Sequence, residues 1–428
     1  MRVALINPHW CFDGSIYFGC RAPHLPTELG VTRQMLERDG HVVELIDAHM
    51  FHLSHADIRA ALVSFKPDMT VLTTAPTYLF WRCAPPELRV CQDLVNAIRD
   101  LCPLFVAVGP HGSTTPRTTL RKLGVDIVVM GECEGVIARL AGGAEIGLPG
   151  TCVRYGGEIR VFGGPQAATF IDQPPLVWDD VLVHAHDHHH HRFDAEPVGP
   201  GAEVEASRGC PYSCTFCAKE NFRNRYRRRD HEAVLAEIDR LQRQGITYLY
   251  FIDEIFLPNR PLLEGLVGRG LAFGVQTRID LWKPDMIELL GHAGCVSIEA
   301  GVESLTPEGR AALDKRCKLD TEALTALLLK ARRHVPFVQA NLIETPDDDD
   351  EVVQRWRADM RDAGVWANDP VPLFPYPGSP DYRKLWGEPD DGAWERAHDY
   401  YLAQFDRFSD VQDERPLPLA ALEREARV

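Results

Sequence analysis

Three cysteines stand as Cys210-Pro-Tyr-Ser-Cys214-Thr-Phe-Cys217, directly after the apolar-alternating stretch Ala202–Ser207. Three thiolates within one turn of chain suit three corners of an iron–sulfur cubane and leave its fourth iron without a protein ligand. Electron-carrier clusters take four cysteines and have no such vacancy. An open iron is a place for chemistry. The triplet could instead take zinc, but zinc sites usually pair two Cys-x2-Cys knuckles, or one knuckle with two histidines, and no second knuckle is present. The other metal-rich run, His184 to His191, precedes the strand in a loop-like stretch and reads as a solvated loop with adventitious metal affinity. A disulfide needs an oxidising compartment, and the opening Met-Arg-Val-Ala-Leu-Ile-Asn-Pro reads as a first strand, not as a secretory leader. A cytoplasmic location is therefore expected.

The triplet needs a scaffold, and the second half of the chain supplies one. Strand patterns fall near Ala202–Ser207, Tyr248–Ile252, Phe273–Thr277, Val296–Ala300, Phe337–Ile343 and Val365–Pro372, with helical patterns between them. One such helix carries the stripe Val234, Leu235, Ile238 and Leu241. Six β/α units cannot close an eight-fold barrel. They fit an open, partial (β/α)6 barrel of the TIM type, with chemistry at the carboxyl ends of the strands. Asp253 and Glu254 follow the second strand, Arg278 and Asp280 the third, and Glu299 and Glu303 lie on and after the fourth. A carboxylate on an apolar strand is costly unless paired or bound to ligand. The competing account is an internal ion-pair ring, for example Arg278 with Glu299.

Residues 1 to about 140 also alternate strand and helix. Short apolar runs at Val3–Asn7, Val42–Asp47, Met69–Thr74, Leu104–Val108 and Asp126–Met130 predict a doubly wound, Rossmann-like parallel sheet. Residues 141–200, with a hairpin at Thr151–Val161, read as a connecting segment. The barrel takes 201–380. The stretch 381–428, with Trp386, Trp394, Tyr400, Tyr401, Phe405 and Phe408, reads as a helical extension over the barrel mouth or its open side. The 428 residues are 45% hydrophobic and carry a net charge of −16. That charge argues against a nucleic-acid partner, and no apolar run reaches membrane-spanning length. The run Arg225 to Arg229 reads as a solvated helix start, with a grip on an anionic partner as the alternative. Asp347–Asp350 read as a helix cap.

The motifs together resemble the cobalamin-binding radical S-adenosylmethionine (SAM) proteins, which join an N-terminal cobalamin domain to a partial barrel. The likeness is carried by Ser207-Arg-Gly-Cys-Pro-Tyr-Ser-Cys-Thr-Phe-Cys217, Tyr250-Phe-Ile-Asp-Glu-Ile-Phe256, Ile298-Glu-Ala-Gly-Val-Glu-Ser304 and Pro375-Tyr-Pro-Gly-Ser379. In the first half it rests on Leu25-Pro-Thr-Glu-Leu-Gly30, Val108-Gly-Pro-His-Gly-Ser113 and Val129-Met-Gly-Glu-Cys-Glu134. The resemblance implies three cofactors: a 4Fe-4S cluster on Cys210, Cys214 and Cys217, SAM, and cobalamin. It places Phe216 against the SAM adenine, Asp253 and Glu254 in the segment meeting the SAM amino group, and Glu299 at the ribose. Arg278 or Glu303 would lie near the carboxylate or sulfonium end. Pro8, His9, Glu28, Leu29, Gly109, Pro110, His111, Gly131 and Glu132 are the corresponding cobalamin contacts. One departure stands out. Cobalamin mutases carry Asp-x-His-x-x-Gly after the first strand, whereas this chain has Asn7-Pro-His-Trp-Cys-Phe-Asp-Gly14, so no histidine ligand to cobalt is expected.

The resemblance implies methylation of an unactivated carbon of a small molecule, through a 5′-deoxyadenosyl radical and methylcobalamin. A radical rearrangement, ring contraction or cyclisation without methyl transfer is the alternative, and a non-catalytic cofactor-binding protein is the third reading. An electron donor such as flavodoxin or ferredoxin is the expected partner, beside the small-molecule substrate. No catalytic side chain is identified from sequence.

Overall fold

The computed structural model describes residues 1–16, 22–81, 83–168, 175–186, 199–404 and 414–424. Five apolar runs form β1 (Arg2–Asn7), β2 (Val42–Asp47), β3 (Met69–Thr73), β4 (Leu104–Val108) and β5 (Ile127–Val129), paired in parallel in the order β2-β1-β3-β4-β5. Strands β3 and β5 are buried at every position. A sheet covered on both faces demands such unbroken apolar strands. Helices such as Thr27–Arg38, His55–Phe65 and Pro116–Leu123 connect them. Ser54 and Asp57 form a reciprocal capping box that starts the second of these.

The segment expected to be a connector supplies two strands of this same sheet. Strands β6 (Thr151–Tyr155) and β7 (Glu158–Phe162) add antiparallel to β5 and close its edge. Their turn places Gly156 and Gly157 at φ 59° and 86°, the pair of left-handed residues a two-residue hairpin requires.

The second sheet is the partial barrel: β8 (Gly201–Val204), β11 (Tyr248–Phe251), β12 (Ala272–Thr277), β13 (Cys295–Glu303), β14 (Phe337–Leu342) and β15 (Trp366–Ala367), all parallel and in chain order. A short antiparallel pair, β9 (Ser207–Arg208) with β10 (Arg227–Arg228), stands apart from both sheets. Alternation along the barrel strands decides their faces. Leu249, Phe251, Phe273, Val275, Ile298 and Val338 join one core with the helix residues Val234, Ile238, Leu263 and Leu328. The opposite face carries Gln276, Glu299 and Gln339 at one level. On that face, too, Tyr248, Tyr250 and Ile252 share an apolar cluster with Ile6, Trp10, Phe12 and Ala48 of the first domain. The first sheet's carboxyl edge therefore meets the barrel interior.

The C-terminal helices Pro380–Trp386 and Ala393–Gln404 depart from expectation. They pack mainly on the first domain: Tyr382, Trp394 and Tyr401 belong to one core with Val106, Val108 and Leu29. The Trp394 Nε1 donates to Thr115 Oγ1 at 3.2 Å, and Lys122 Nζ sits 2.6 Å from both Glu395 and Glu423. Phe405, Phe408 and His188 to His191 lie outside the described residues. Two other members of the histidine run are placed: His184 ends the helix Asp180–Ala185, and His186 is buried and paired with Glu203 at 3.2 Å. His186 is thus no solvated loop residue. The acidic run caps as its position suggests, with Asp349 accepting from the Val352 amide at 3.0 Å.

Candidate active site

The cysteine loop is the crown of the β9–β10 hairpin, and the chain fixes it from all sides. Gly209 turns at φ 76°, and a Cβ there would stand 2.2 Å from the Arg225 carbonyl, so only glycine lets the two arms cross so closely. The Thr215 amide donates to Leu313 O at 3.1 Å, and its carbonyl accepts from the Asp381 amide at 2.9 Å. Lys219 Nζ donates to the Cys210 carbonyl at 2.9 Å and to Asn224. Cys210, Cys214 and Cys217 form no disulfide and are of intermediate exposure, and Phe216 between them is half-buried.

Two cations stand at this rim. Arg278 lies with its guanidinium carbon 4.3 Å over the Tyr212 ring and forks onto Asp280 at 2.7 and 3.1 Å. Lys315 is buried, donates to Gly301 O at 3.1 Å and pairs with Glu303. Glu303 adopts φ 64°, where the register of β13 and β14 shifts. Burial pushes the Cys214 thiol up, while Lys315 and Arg278 draw it back down. The competing account, an ion pair of Arg278 with Glu299, is not the pairing seen, since Arg278 is taken by Asp280. Glu299 instead faces Tyr250, whose hydroxyl lies 3.4 Å away.

Beneath the loop lies a buried charge network that sequence reasoning missed. Arg208 Nη1 binds Glu134 at 2.6 Å and Glu132 at 3.1 Å, and its Nε binds Glu205 at 2.8 Å. Arg223 binds Glu205 at 2.7 Å and Glu254 at 2.6 Å. Both guanidiniums lie over Tyr78 of the first domain, at 5.0 and 3.7 Å. Arg227 adds to Glu132, and Arg229 binds Glu237 at 2.7 Å. Burial pushes the Glu205 carboxyl up, yet Arg208 and Arg223 hold it below the usual range. The basic run Arg225 to Arg229 is therefore half internal, not a solvated helix start. The only sequence signal was the adjacency of Arg208 to the first cysteine. Lys315 and Tyr78 gave none.

The other residues expected at the ligands are held within the protein as follows. Asp253 accepts from the Ala206 amide at 2.8 Å and from the Ser207 hydroxyl, and burial pushes its carboxyl to about 7. Glu254 accepts from the Gly209 amide at 2.6 Å as well as pairing Arg223. Both carboxylates brace the cysteine loop from below. In the first domain Glu132 is taken up by Arg208, Arg227 and the Ala168 amide. Leu29 is a core residue with no exposure. Gly131 lies against Gln166, whose backbone a Cβ would strike at 2.3 Å, and Gly109 lies equally close to Thr74 Oγ1. Pro110 begins the short helix Pro110–Thr114, and His111 is buried against Trp394 with ring centroids 4.7 Å apart. Burial pushes the His111 imidazole down to about 3. Pro8 is buried, whereas His9 is exposed beside His49 and His52.

The residues present fit the groups the sequence suggested. Three cysteine thiols outside any disulfide, on a braced loop, are the donor set of an iron–sulfur cluster. At the first domain's carboxyl edge, Glu28 Oε1, Thr74 Oγ1, Tyr78 Oη and Trp81 Nε1 are buried without a hydrogen-bond partner. Buried polar atoms are nearly always satisfied, so such a row suits a polar ligand at that edge.

Comparison with known proteins agrees. Residues 204–355 match the Radical SAM superfamily and residues 23–141 match the B12 binding domain. An uncharacterized methyltransferase of Pyrococcus horikoshii is 25% identical over 284 residues, covering 63% of this chain and 59% of its own. The anaerobic magnesium-protoporphyrin IX monomethyl ester cyclase of Cereibacter sphaeroides is 25% identical over 408 residues, covering 87% of this chain and 63% of its own. The chain thus spans about three-fifths of the length of these relatives. Among solved structures, the radical S-adenosylmethionine methyltransferase TsrM from Kitasatospora setae superposes with a TM-score of 0.69 at 18% identity, over 89% of this chain and 76% of its own. The two domain families bring with them a 4Fe-4S cluster and SAM for the barrel and cobalamin for the first domain. With both domains matched in this order and the fold shared across their length, the chain belongs to the cobalamin-binding radical SAM proteins.

Proposed function

We propose that the chain methylates an unactivated carbon of a small-molecule substrate. When bound, the cluster with SAM supplies a 5′-deoxyadenosyl radical, and cobalamin supplies a transferable methyl group. The protein's own part is to bind, orient and keep water out. Cys210, Cys214 and Cys217 would hold the cluster. Arg278 and Lys315, beside Cys214, would hold the SAM carboxylate, a positioning effect that raises the effective concentration of reacting groups by orders of magnitude. Phe216 would cover the adenine, and Glu299 would meet the ribose from the barrel interior. The unsatisfied polar row Glu28, Thr74, Tyr78 and Trp81 would face cobalamin. An electron donor such as flavodoxin or ferredoxin completes the system.

The observation that carries this reading is the half-exposed three-thiol loop opening where the first domain meets the barrel interior. One curated relative is a methyltransferase, but another is a cyclase, and that favours radical cyclisation or rearrangement as a second reading. Product analysis separates them. Methyl transfer forms S-adenosylhomocysteine and 5′-deoxyadenosine together with methylated product. A rearrangement forms no S-adenosylhomocysteine, and that result would end the methylation proposal.

A further inference from the structure

Two arginines bracket the cysteine loop, and both are anchored partly outside the barrel. Arg208 precedes Cys210 by two residues, and its Nη1 is held by Glu132 and Glu134, which follow β5 of the first domain. Arg223 follows Cys217 by six residues and rests 3.7 Å from the Tyr78 ring centroid, which follows β3 of the first domain. Glu205 joins the two arginines, and Glu254 ties Arg223 to the Gly209 amide. Arg208, Arg223, Glu132 and Glu134 have side chains with no exposure. Buried guanidinium–carboxylate pairs in low dielectric hold one geometry firmly, and removing one partner strands a charge. A shift of the loop Gly131–Glu134 or of Tyr78 must therefore drag both ends of the cysteine loop.

We infer that Arg208 and Arg223 are positioning residues that make the cluster loop's geometry depend on the state of the cobalamin-binding domain. Packed, hydrogen-bonded elements of this kind pass small displacements from one site to another. Tyr78, with a buried hydroxyl that closes no hydrogen bond, sits between the first domain's ligand edge and both guanidiniums. Occupation of that edge would press on the same ring that carries the arginines. The inference rests on the reading that Cys210, Cys214 and Cys217 hold a cluster.

The test uses full-length protein reconstituted anaerobically with iron and sulfide, with and without hydroxocobalamin. The electron paramagnetic resonance signal of the reduced cluster should change when hydroxocobalamin is added. Glu134→Gln and Arg208→Lys, with wild-type iron and cobalamin content, should lose that change, and SAM cleavage should slow about tenfold through loop misplacement. A wild-type signal indifferent to cobalamin, or variants that keep the wild-type response, overturns the inference. Hydrogen–deuterium exchange on iron-free chain isolates the coupling from the cluster. Hydroxocobalamin should slow exchange across 205–223 in the wild type but not in Glu134→Gln, and equal slowing in both overturns the coupling whatever the cluster does. A wild-type chain that takes up no iron but shows the exchange difference would instead sink the functional reading alone. Should Arg208→Lys fail to fold, Glu134→Gln, a change of one atom, decides the matter.

Discussion

The two carboxyl edges that face each other treat most of their motif residues differently. At the barrel rim the cysteines stay half-exposed, with Arg278 and Lys315 beside them. At the edge of the first sheet, Leu29, Gly109, Gly131 and Glu132 are absorbed into the protein's own packing and ion pairs. There the buried atoms without a hydrogen-bond partner include those of two motif residues, Glu28 and His111, beside Thr74, Tyr78 and Trp81. Metal ligation needs side chains that project, so a ligating motif displays its residues. A domain that takes a large flat ligand needs close-packed loops beneath it, and small or acidic motif residues there serve the loops first.

Substitutions can break this contrast. The largest effect is expected at the rim. Cys214→Ala should reduce iron to background after reconstitution and abolish SAM cleavage, as read by metal analysis and by 5′-deoxyadenosine formation. Full iron content in that variant would remove Cys214 from the site. Next comes Leu29→Ala, which should cost about 2–5 kcal/mol in urea unfolding, as for other large-to-small core changes. A Leu29 that touched cobalamin would lower affinity for the cofactor and leave stability nearly untouched.

Glu28 tests the unsatisfied row. It is fully buried, and desolvation lifts its carboxyl from 4.5 to about 8 against hydrogen bonds from its own backbone and Thr77. The folded chain keeps a proton that the unfolded chain has released. Its stabilising effect is complete below pH 4.5 and is lost as pH rises toward 8. Glu28→Gln should flatten the melting profile of the cobalamin-free protein over that window and gain stability on wild type at the alkaline end. Superimposable profiles would show that Glu28 holds no such proton. The smallest effect belongs to Arg278→Lys. Lysine keeps the charge but loses the fork on Asp280 and the stack on Tyr212. SAM should bind about tenfold more weakly, roughly 1.4 kcal/mol, with little change in melting temperature. Unchanged SAM affinity would move the carboxylate grip to Lys315 alone.

The folds were legible because their signals are local. Runs such as Val3–Asn7 and Phe273–Thr277 carry the strand pattern in five residues, and six β/α units in succession leave few topologies. The cysteine triplet was legible for the same reason. The partners of Asp253 and Glu254 were not. Their neighbours Ser207, Gly209 and Arg223 lie 31 to 46 positions away in sequence, and only the crossing of the hairpin arms brings them together. Lys315 was hidden because its place in the irregular chain after the helix Pro307–Ala312 says nothing of the β13 turn it fills. The hairpin β6–β7 was recognised, yet its place as a sheet edge depends on pairing with β5, which no local pattern encodes.

The central claim is that the three-thiol loop holds a cubane with one iron open to SAM. Anaerobically reconstituted protein should bind about four irons per chain, and the resonance signal of the reduced cluster should change when SAM is added. Purified protein carrying zinc in place of iron, or a cluster whose signal ignores SAM, would contradict it.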